Sequence, residues 1–274
     1  MNGPCPKSAP ALLQEGLRVD TCLGRGGMSQ VFAATTGGGT PVAVKVSNPA
    51  VVDPVAARAL IQREYAFLSA LSHRNIVSVL GLAAIDHADA GKGPGIVMEY
   101  VSGGDLVSLA GSKTGHWLPV AVQLAEALVY LHAAGFVHRD IKARNVLLRS
   151  GDVPCLIDFS LAASIGDRVP LSGGTAAYQS ASRRRGAPAG VDDDVHAFAV
   201  LVYELWTGAL PFGRDPSLDV LENPGAHLGM LETGGADGLR SLAGLVSATL
   251  VNRKKRSRGG IEPFSDALEL ALKR

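Results

Sequence analysis

Apolar and polar positions alternate along the first part of the chain. In residues 17–46 apolar side chains recur at every second position, and the glycine-rich stretches 24–27 and 37–39 interrupt the alternation. Because a period of two is typical of strands and clustered glycines are typical of turns, this pattern predicts three antiparallel strands joined by hairpins. Strand-like segments return at residues 77–83 and 96–101, so we expect a five-stranded antiparallel sheet.

A helical period follows the first three strands. In residues 53–71 the apolar positions lie three or four apart behind an Asp-Pro start, which predicts one main helix. Residues 120–133 and 195–207 show the same spacing, whereas the Pro-, Gly- and Asp-rich residues 212–238 predict a loop with short helical pieces. The last part of the chain predicts two further helices.

The Ser-Gly-Gly tripeptide at residues 102–104 separates the two patterns. We expect it to begin a hinge between a β-rich N-terminal lobe, residues 17–101, and a mostly helical C-terminal lobe, residues 102–274. Residues 1–16 contain three prolines and lack the apolar core of a signal peptide, so they are predicted to be a loose leader.

Composition and charge exclude several classes of protein. Apolar residues make up 47% of the chain and charged residues 19%, which is typical of an ordinary folded protein. Lys and Arg number 26 against 25 Asp and Glu, so we expect no nucleic-acid partner. The longest apolar runs fall short of the roughly 20 residues of a membrane span, so we expect no membrane partner. The three cysteines form no CxxC pair that could bind zinc, which favours a reducing, cytoplasmic location.

Gly24, Gly26 and Gly27, followed by Ser29, lie at the predicted turn between the first two strands. The glycine backbone in such a turn can fold closely over phosphate groups. A plain turn is the more frequent role of a glycine-rich hairpin, so the loop alone does not establish a nucleotide site. A dinucleotide-binding loop would require a helix next, but residues 31–33 continue as a strand, and this excludes the dinucleotide-binding fold.

Lys45 lies inside the apolar strand predicted at residues 42–46. An unpaired ammonium group there would be costly, so we expect a phosphate or carboxylate partner unless the side chain reaches solvent. The strand resembles the third strand of protein kinases, in which a lysine holds the α and β phosphates of ATP and pairs with a glutamate of a helix. Glu64 is the candidate partner, although a lone helix glutamate is more often a solvated residue.

Residues 138–145, with the sequence His-Arg-Asp-Ile-Lys-Ala-Arg-Asn, resemble the catalytic loop of protein kinases. The resemblance implies that Asp140 is the catalytic base and that Asn145 is a magnesium ligand. It also implies that Lys142 neutralises the γ-phosphate, and a lysine at this place is typical of kinases that phosphorylate serine or threonine. Taken singly, Asp140 could cap a turn, so the assignment depends on its ordered occurrence with the glycine loop and Lys45.

Asp158, in the sequence Asp-Phe-Ser, resembles the second metal ligand of the family. An aspartate here could also simply end a strand. The family has glycine where this chain has Ser160. Because serine restricts the backbone angle φ, we expect Ser160 to affect rearrangement of the loop more than metal binding.

The resemblance also implies a set of residues that contact ATP. The backbone of the hinge is expected to bind adenine, an aspartate to reach the ribose, and four apolar side chains to sandwich the adenine ring. In that order, these residues are Met98, Glu99 and Val101, then Asp105, then Leu23, Val31, Ala43 and Leu147. Apolar residues on strands more often belong to the core, so this assignment depends on the resemblance rather than on the pattern.

Residues 174–180 resemble the kinase segment that faces the substrate acceptor, and Thr175 is expected to bridge two residues of the catalytic loop. The Pro-Glu dipeptide of the family is replaced by Ala-Ser at residues 181–182. This replacement removes the usual partner of a buried arginine, which is Arg256 here. Asp194 resembles the family residue that holds the backbone of the catalytic loop, although a helix N-cap is its simpler role.

Together these motifs resemble a eukaryotic-type serine/threonine protein kinase catalytic domain, most like the bacterial members. The expected fold is α+β and bilobal, with a five-stranded antiparallel N-lobe, one main helix and a mostly helical C-lobe. The expected cofactors are ATP and Mg²⁺, with Mn²⁺ as an alternative, and the expected partner is a protein substrate with a serine or threonine acceptor. An ATP-binding pseudokinase scaffold and a kinase-like small-molecule phosphotransferase stay open as alternatives, and the oligomeric state is not predicted.

Overall fold

A computed structural model describes residues 12–14, 17–48, 51–87, 91–112, 115–169, 173–224, 231, 237–251 and 260–273. These residues divide into two compact units. The N-terminal unit lies within Met1–His73 and Val77–Val101, and the C-terminal unit lies within Arg74–Ile76 and Ser102–Arg274. The division after Val101 falls at the predicted hinge.

One antiparallel sheet forms the base of the N-terminal unit. Its strands are β1 Leu12–Gln14, β2 Leu17–Arg25, β3 Ser29–Thr35, β4 Pro41–Ser47, β5 Val79–His87 and β6 Gly91–Glu99. They lie in the order β1-β2-β3-β4-β6-β5, and β2 to β6 are the five predicted strands. Strand β1 falls within the predicted leader, but its backbone pairs with the free edge of β2, so the leader is not loose at residues 12–14. The other residues of the leader lie outside the described residues.

The hairpin of β5 and β6 extends further than the sequence pattern predicts. Strand pairing continues to Asp86 opposite Lys92 and to His87 opposite Gly91. These positions are polar or glycine, so the apolar alternation ends before the backbone ladder does. Backbone hydrogen bonds do not depend on side-chain polarity, and this explains the difference.

Helix α1, Pro54–Ser69, packs one face against the sheet. Its first turn is fixed by Asp53, whose Oδ1 accepts hydrogen bonds from the backbone of Val55 at 3.0 Å and Ala56 at 3.1 Å, and by a proline in the first turn. The buried positions of α1 are Ile61, Glu64 and Leu68. Their spacing of three and four residues is the predicted helical period, with a glutamate in the buried stripe.

Helices dominate the C-terminal unit. They are α2 Trp117–Ala133, α3 Ala181–Arg184, α4 Val191–Thr207, α5 Leu218–Glu222, α6 Asp237–Val251 and α7 Glu262–Leu272, with 3₁₀ turns at Leu106–Leu109, Ala143–Asn145 and Ala176–Tyr178. The rings of Phe198 and Phe264 meet edge to face with centroids 5.5 Å apart, which joins α4 to α7 in the core. The bilobal α+β prediction is confirmed in both units. Among the described residues, no helix is both long and apolar enough to cross a membrane.

Two short strand pairs in the C-terminal unit flank the loops that carry polar motifs. Strands β8 Val146–Arg149 and β9 Val153–Leu156 form an antiparallel hairpin, and β7 Phe136–Val137 pairs with β10 Ala163–Ser164. The predicted catalytic loop therefore runs from the end of β7 to the start of β8. The Asp-Phe-Ser sequence, which contains the predicted metal ligand Asp158, lies between β9 and β10.

Gly103 makes a close backbone approach at the start of the C-terminal unit. An ideal Cβ built on Gly103 would lie 1.8 Å from the carbonyl oxygen of Leu148, so no other residue fits without a shift of the backbone. The amide of Leu148 donates to the Gly104 carbonyl oxygen at 2.9 Å, which holds this segment along β8. The close approach of the Leu148 carbonyl therefore requires glycine at position 103.

Candidate active site

Lys45 and Glu64 form a buried ion pair in the N-terminal unit. The Nζ of Lys45 on β4 lies 2.6 Å from the Oε1 of Glu64 on α1, and the two side chains are only 3% and 4% exposed. A buried ammonium group needs such a partner, because its loss of hydration must be compensated by charge and hydrogen bonding. The contact that the resemblance implied is therefore present, and neither side chain takes the solvated alternative.

Several predicted nucleotide residues share one face of the sheet. Val31 lies directly opposite Lys45 in the ladder of β3 and β4, and Ala43 lies opposite Met98 in the ladder of β4 and β6. Cross-strand partners, and residues two apart on a strand, point to the same face. Leu23 is the extra residue at an irregularity of the β2–β3 ladder, and its side chain is exposed.

Strand β6 ends with Glu99, whose side chain and amide both bond the backbone of Ser78, directly before β5. Its Oε1 accepts a hydrogen bond from the amide of Ser78 at 2.7 Å, and its own amide donates to the Ser78 carbonyl at 3.0 Å. Met98 and Val101 are buried on either side of it. The side chain of Glu99 thus fixes the backbone that the resemblance assigns to adenine.

Asn48, which the sequence patterns did not identify, hydrogen-bonds the backbone of the glycine loop. The amide of Asn48 donates to the Met28 carbonyl at 2.8 Å, and its Nδ2 contacts the Gly27 carbonyl at 3.4 Å. Asn48 Oδ1 in turn accepts from Gln30 at 3.4 Å. Both polar side chains are buried, so the end of β4 anchors the tip of the loop. An asparagine directly after an apolar strand was the signal available in the sequence.

Asp105 and Leu147 are neighbours in the C-terminal unit. They form an isolated antiparallel bridge, and the Oδ1 of Asp105 accepts from the Val107 amide at 3.2 Å as the cap of a 3₁₀ turn. The predicted ribose and adenine contacts from this unit are therefore adjacent.

The carboxylate of Asp140 receives three hydrogen bonds. Its Oδ2 accepts from Lys142 Nζ at 2.7 Å and from Asn145 Nδ2 at 2.9 Å, and its Oδ1 accepts from the backbone amide of Thr175 at 3.2 Å. The same Nζ of Lys142 also donates to the Thr175 hydroxyl at 2.9 Å. Thr175 therefore bridges the two catalytic-loop residues as predicted. Donors on both oxygens fix the orientation of the carboxylate.

Asp194, fully buried in the first turn of α4, holds the backbone of the catalytic loop. Its Oδ2 accepts from the His138 amide at 2.8 Å and its Oδ1 from the Arg139 amide at 2.7 Å. His132 on α2 contacts Oδ2 at 2.9 Å. Burial opposes ionisation of this carboxyl, but the hydrogen bond and charge of His132 and the contacts of His138 outweigh it, so the pKa of Asp194 lies below its ordinary value. Arg139 adopts a left-handed φ of 66°, which the hydrogen bonds from the His138 and Arg139 amides to Asp194 stabilise.

His138 links the catalytic loop to the segment after β9. Its Nδ1 accepts from the Asp140 amide at 3.2 Å and its Nε2 lies 3.0 Å from the Ile157 carbonyl. An amide can only donate and a carbonyl can only accept, so the neutral ring carries its proton on Nε2. Burial lowers the pKa of His138, although the carboxylates of Asp194 and Asp140 oppose the shift. The ring also meets Phe159 edge to face at 4.6 Å.

Asp158 is fixed by the residue two positions later. The Oγ of Ser160 donates to Asp158 Oδ1 at 2.8 Å, and the Ser160 amide lies 3.4 Å from the same oxygen. The left-handed backbone is at Asp158, with a φ of 62°, and not at Ser160. Serine in the place of the family's glycine therefore has no left-handed φ in this conformation, and its effect on rearrangement of the loop stays a prediction.

Asn145 and Asp158 fit a hard divalent cation. The amide of Ile157 donates to the Asn145 carbonyl at 2.9 Å, so the backbone brings the two residues together. Asn145 uses its Nδ2 for its hydrogen bonds to Asp140, which leaves Oδ1 as the amide atom suited to a cation. Amide and carboxylate oxygens are ligands that Mg²⁺ prefers, and Mg²⁺ keeps several waters, so two protein ligands suffice. Within the described part of the chain, no group of three or more His, Cys, Asp and Glu residues offers a metal site.

The segment after Thr175 contains polar contacts that the sequence analysis missed. Tyr178 donates its hydroxyl to Glu204, and burial is the largest cause that raises the pKa of both groups. Arg183 is buried and donates to the Arg139 carbonyl oxygen. No periodic signal marks these residues, because each contact joins segments distant in sequence. Arg256, which we expected to lack its glutamate partner, lies outside the described residues.

Comparisons with known proteins agree with this arrangement. A model of the protein kinase domain family matches residues 17–228. The chain is 34% identical over 218 residues to the probable serine/threonine-protein kinase PknB of Corynebacterium glutamicum, covering 75% of this chain and 33% of that protein. It is 36% identical over 210 residues to the probable serine/threonine-protein kinase SCO3848 of Streptomyces coelicolor, covering 72% of this chain and 31% of that protein.

A third relative is the serine/threonine-protein kinase pkn2 of Myxococcus xanthus, 31% identical over 215 residues, covering 73% of this chain and 25% of that protein. The chain thus spans about a third or less of the length of these curated relatives. They are bacterial, as the resemblance implied. The match over residues 17–228, together with the Lys45–Glu64 pair and the ordered Asp140 loop, shows that the chain belongs to the protein kinase domain family.

Proposed function

We propose that this domain transfers the γ-phosphoryl group of ATP to serine or threonine hydroxyls of protein substrates. The observation that carries the proposal is the Asp140 carboxylate, which Lys142, Asn145 and the Thr175 amide hold in one orientation. Phosphoryl transfer asks the protein mainly for positioning and charge neutralisation. A fixed carboxylate beside a fixed ammonium group supplies both.

Asp140 acts as the catalytic base in this proposal. It orients the acceptor hydroxyl and takes its proton as the new oxygen–phosphorus bond forms and the bond to the leaving ADP breaks. Lys142, 2.7 Å from Asp140 Oδ2, places a positive charge where negative charge is transferred. The bond from Lys142 to the Thr175 hydroxyl supports serine or threonine as the acceptor, since this pair resembles the Ser/Thr-specific kinases.

The proposal assigns phosphate binding to Lys45 and to the glycine loop of the N-terminal unit. In the N-terminal unit, Lys45 would hold phosphates while Glu64 keeps its side chain extended. The glycine loop fits a close ligand approach: neither Gly24 nor Gly27 has a positive φ, and no atom lies within 4 Å of a Cβ built on either. Nothing in the described fold demands glycine there, whereas phosphates against the backbone would.

Because ATP is the co-substrate, the proposal includes a cytoplasmic location.

Mg²⁺, or Mn²⁺ in its place, is the divalent cation of this proposal. Asn145 Oδ1 and the carboxylate of Asp158 would hold it. When bound, such a cation neutralises charge on the phosphate oxygens. Ser160 keeps the Asp158 carboxylate in a defined orientation before a cation arrives.

The pseudokinase alternative also has a specific observation in its favour. Ser160 Oγ already donates to Asp158 Oδ1, so a hydroxyl that kept this carboxylate from a cation would leave a domain that binds ATP without transferring phosphate. A small-molecule acceptor is the second alternative. The Lys142–Thr175 contact favours a protein acceptor over it.

The test is incorporation of label from γ-labelled ATP with Mg²⁺ into casein-type and basic proteins, followed by identification of the phosphorylated amino acid. We expect phosphoserine or phosphothreonine, and Asp140→Asn should lower the rate by about 10²–10⁴-fold. Asp152→Asn is the matched control, because Asp152 lies in an exposed turn at a φ of 57° that asparagine also adopts. Equal labelling by wild type and Asp140→Asn would rule out this catalysis. ATP binding without labelling would indicate a scaffold. If small hydroxyl compounds added as acceptors were labelled and the proteins were not, the domain would be a small-molecule phosphotransferase.

A further inference from the structure

We infer that Arg183 is a positioning residue, which ties the catalytic loop to the segment carrying Thr175 and so keeps Asp140 in its productive orientation. The inference rests on the proposed function and adds a residue to it. The guanidinium of Arg183 bonds two backbone carbonyls: its Nη1 donates to Arg139 O, and its Nη2 donates to Gly173 O at 3.2 Å.

The two carbonyls belong to the two main-chain segments that meet at the Asp140 carboxylate. Arg139 directly precedes Asp140 in the catalytic loop. Gly173 lies two residues before Thr175, whose amide donates to Asp140 Oδ1 at 3.2 Å. One rigid guanidinium therefore spans the two main-chain segments that together set the position of the carboxylate.

The guanidinium of Arg183 packs closely against the segment that carries Thr175. Gly174 has a φ of +85°, and a Cβ built on it would lie 2.7 Å from Arg183 Nη2. The short helix α3 that carries Arg183 is capped by Ser180, whose Oγ accepts from the Arg183 amide at 3.2 Å. Gln179 adds a second donor to the Gly173 carbonyl at 2.9 Å. The segment thus leaves room for an arginine and directs it at the loop.

A buried carboxylate balances the charge of this arrangement. Asp193 Oδ2 lies 3.3 Å from Arg139 Nε, and both residues are buried with Arg183. Desolvation lowers the pKa of Arg183 and the charge of Arg139 lowers it further, while Asp193, Asp140 and Asp194 oppose this. Asp193 therefore pairs with Arg139, and its negative charge, with those of Asp140 and Asp194, favours the charged form of Arg183.

Arginine is suited to this role in a way that lysine is not. The planar guanidinium presents several donors in a fixed fork, so it can hold two carbonyls at a set separation. An ammonium group is a point charge on a flexible stem. A purely electrostatic role would tolerate lysine, whereas a bridging role would not, and this difference makes the inference testable.

The experiment compares wild type with Arg183→Lys, Arg183→Met and the control Arg184→Met. Arg184 lies on the same helix but bonds Pro216 O and Asp215, away from the catalytic loop. We expect Arg183→Met to lower kcat by about 10²-fold, with little change in KM for ATP, because a misplaced base costs rate rather than nucleotide binding. Arg183→Lys should recover only part of the loss, and Arg184→Met should behave as wild type.

Amide hydrogen exchange of residues 138–145 and 173–178 gives a readout that does not need activity. We expect exchange in both segments of Arg183→Met and Arg183→Lys to become faster relative to the rest of the C-terminal unit. If wild type transfers no phosphate, the proposed function is wrong. The exchange result still shows whether Arg183 links the catalytic loop to the segment that carries Thr175. Wild-type kcat or wild-type exchange in Arg183→Lys would overturn the bridging role, and Arg183→Lys carries the test where Arg183→Met does not fold.

Discussion

The Oγ of Ser160 donates a hydrogen bond to the Oδ1 of Asp158 at 2.8 Å. The hydroxyl therefore acts on the same carboxylate that the proposal assigns to the divalent cation. Outer hydrogen bonds of this kind orient metal ligands, and their loss typically weakens metal affinity by about 10–100-fold. Serine at this position has a definite role in such a site.

Ser160→Ala should raise the Mg²⁺ concentration needed for half-maximal activity by about tenfold, because Asp158 loses its orienting donor. A Mg²⁺ titration at saturating ATP measures this. Ser164→Ala makes the same change at a half-buried position on β10 and should leave the titration unaltered. An unchanged or lower Mg²⁺ requirement in Ser160→Ala would show that the hydroxyl does not support the cation.

Lys45→Met should lower the free energy of unfolding by about 3–5 kcal/mol, because it leaves the Glu64 carboxylate buried without its ammonium partner. Urea unfolding measures the change. The double variant Lys45→Met with Glu64→Leu should recover much of the stability but none of the activity. Lys273→Met, which breaks an exposed pair with Glu269, should change stability by less than about 1 kcal/mol. A loss as small as this in Lys45→Met would contradict the role of the buried pair.

Gly103→Ala should destabilise the C-terminal unit by about 1–3 kcal/mol or more, since its Cβ would meet the Leu148 carbonyl at 1.8 Å. Gly104→Ala is the matched control, because a Cβ on Gly104 meets nothing within 4 Å. Thermal unfolding of both variants should separate them clearly. Equal Tm values would mean that this backbone relaxes easily and that the close approach is unimportant.

Acid should destabilise the protein through His138. Burial holds its folded pKa below the ordinary 6.5, so the unfolded chain takes up a proton that the folded chain refuses. The stability is fully present above about pH 6.5 and is lost as the pH falls towards the folded pKa, by at most about 1.4 kcal/mol per pH unit. Urea unfolding at pH 7.5 and 5.5 should show a smaller loss in His138→Gln than in wild type. An equal loss in both proteins would assign the acid sensitivity to other groups.

Contiguous motifs made the main parts of the site predictable. Asp140, Lys142 and Asn145 lie within a single loop, and local spacing fixes their identity before any fold is known. Lys45 was predictable for a different reason, since a cation inside an apolar strand requires a partner. Glu64 then followed from its place on the helix after that strand.

Contacts between distant segments were beyond the sequence patterns. Residues 183–185 are three arginines, and nothing local distinguishes the first, yet Arg183 is buried while Arg184 and Arg185 contact other groups. The two arginines are distinguished only by their tertiary contacts, since Arg183 bonds the catalytic loop while Arg184 bonds residues 215 and 216. A local contact was also missed, since no sequence pattern predicted the hydrogen bond from Ser160 Oγ to Asp158 Oδ1 or the left-handed φ of Asp158.

Asp194 also has a consequence for how the domain loses activity on heating. Its carboxylate, with no solvent exposure, joins α4 to two consecutive amides of the catalytic loop and to His132 on α2. A loop attached in this way cannot open without exposing a buried charge from the centre of the helical unit. Local melting and cooperative unfolding of that unit therefore become one event, so the catalytic loop should persist until the C-terminal unit itself unfolds.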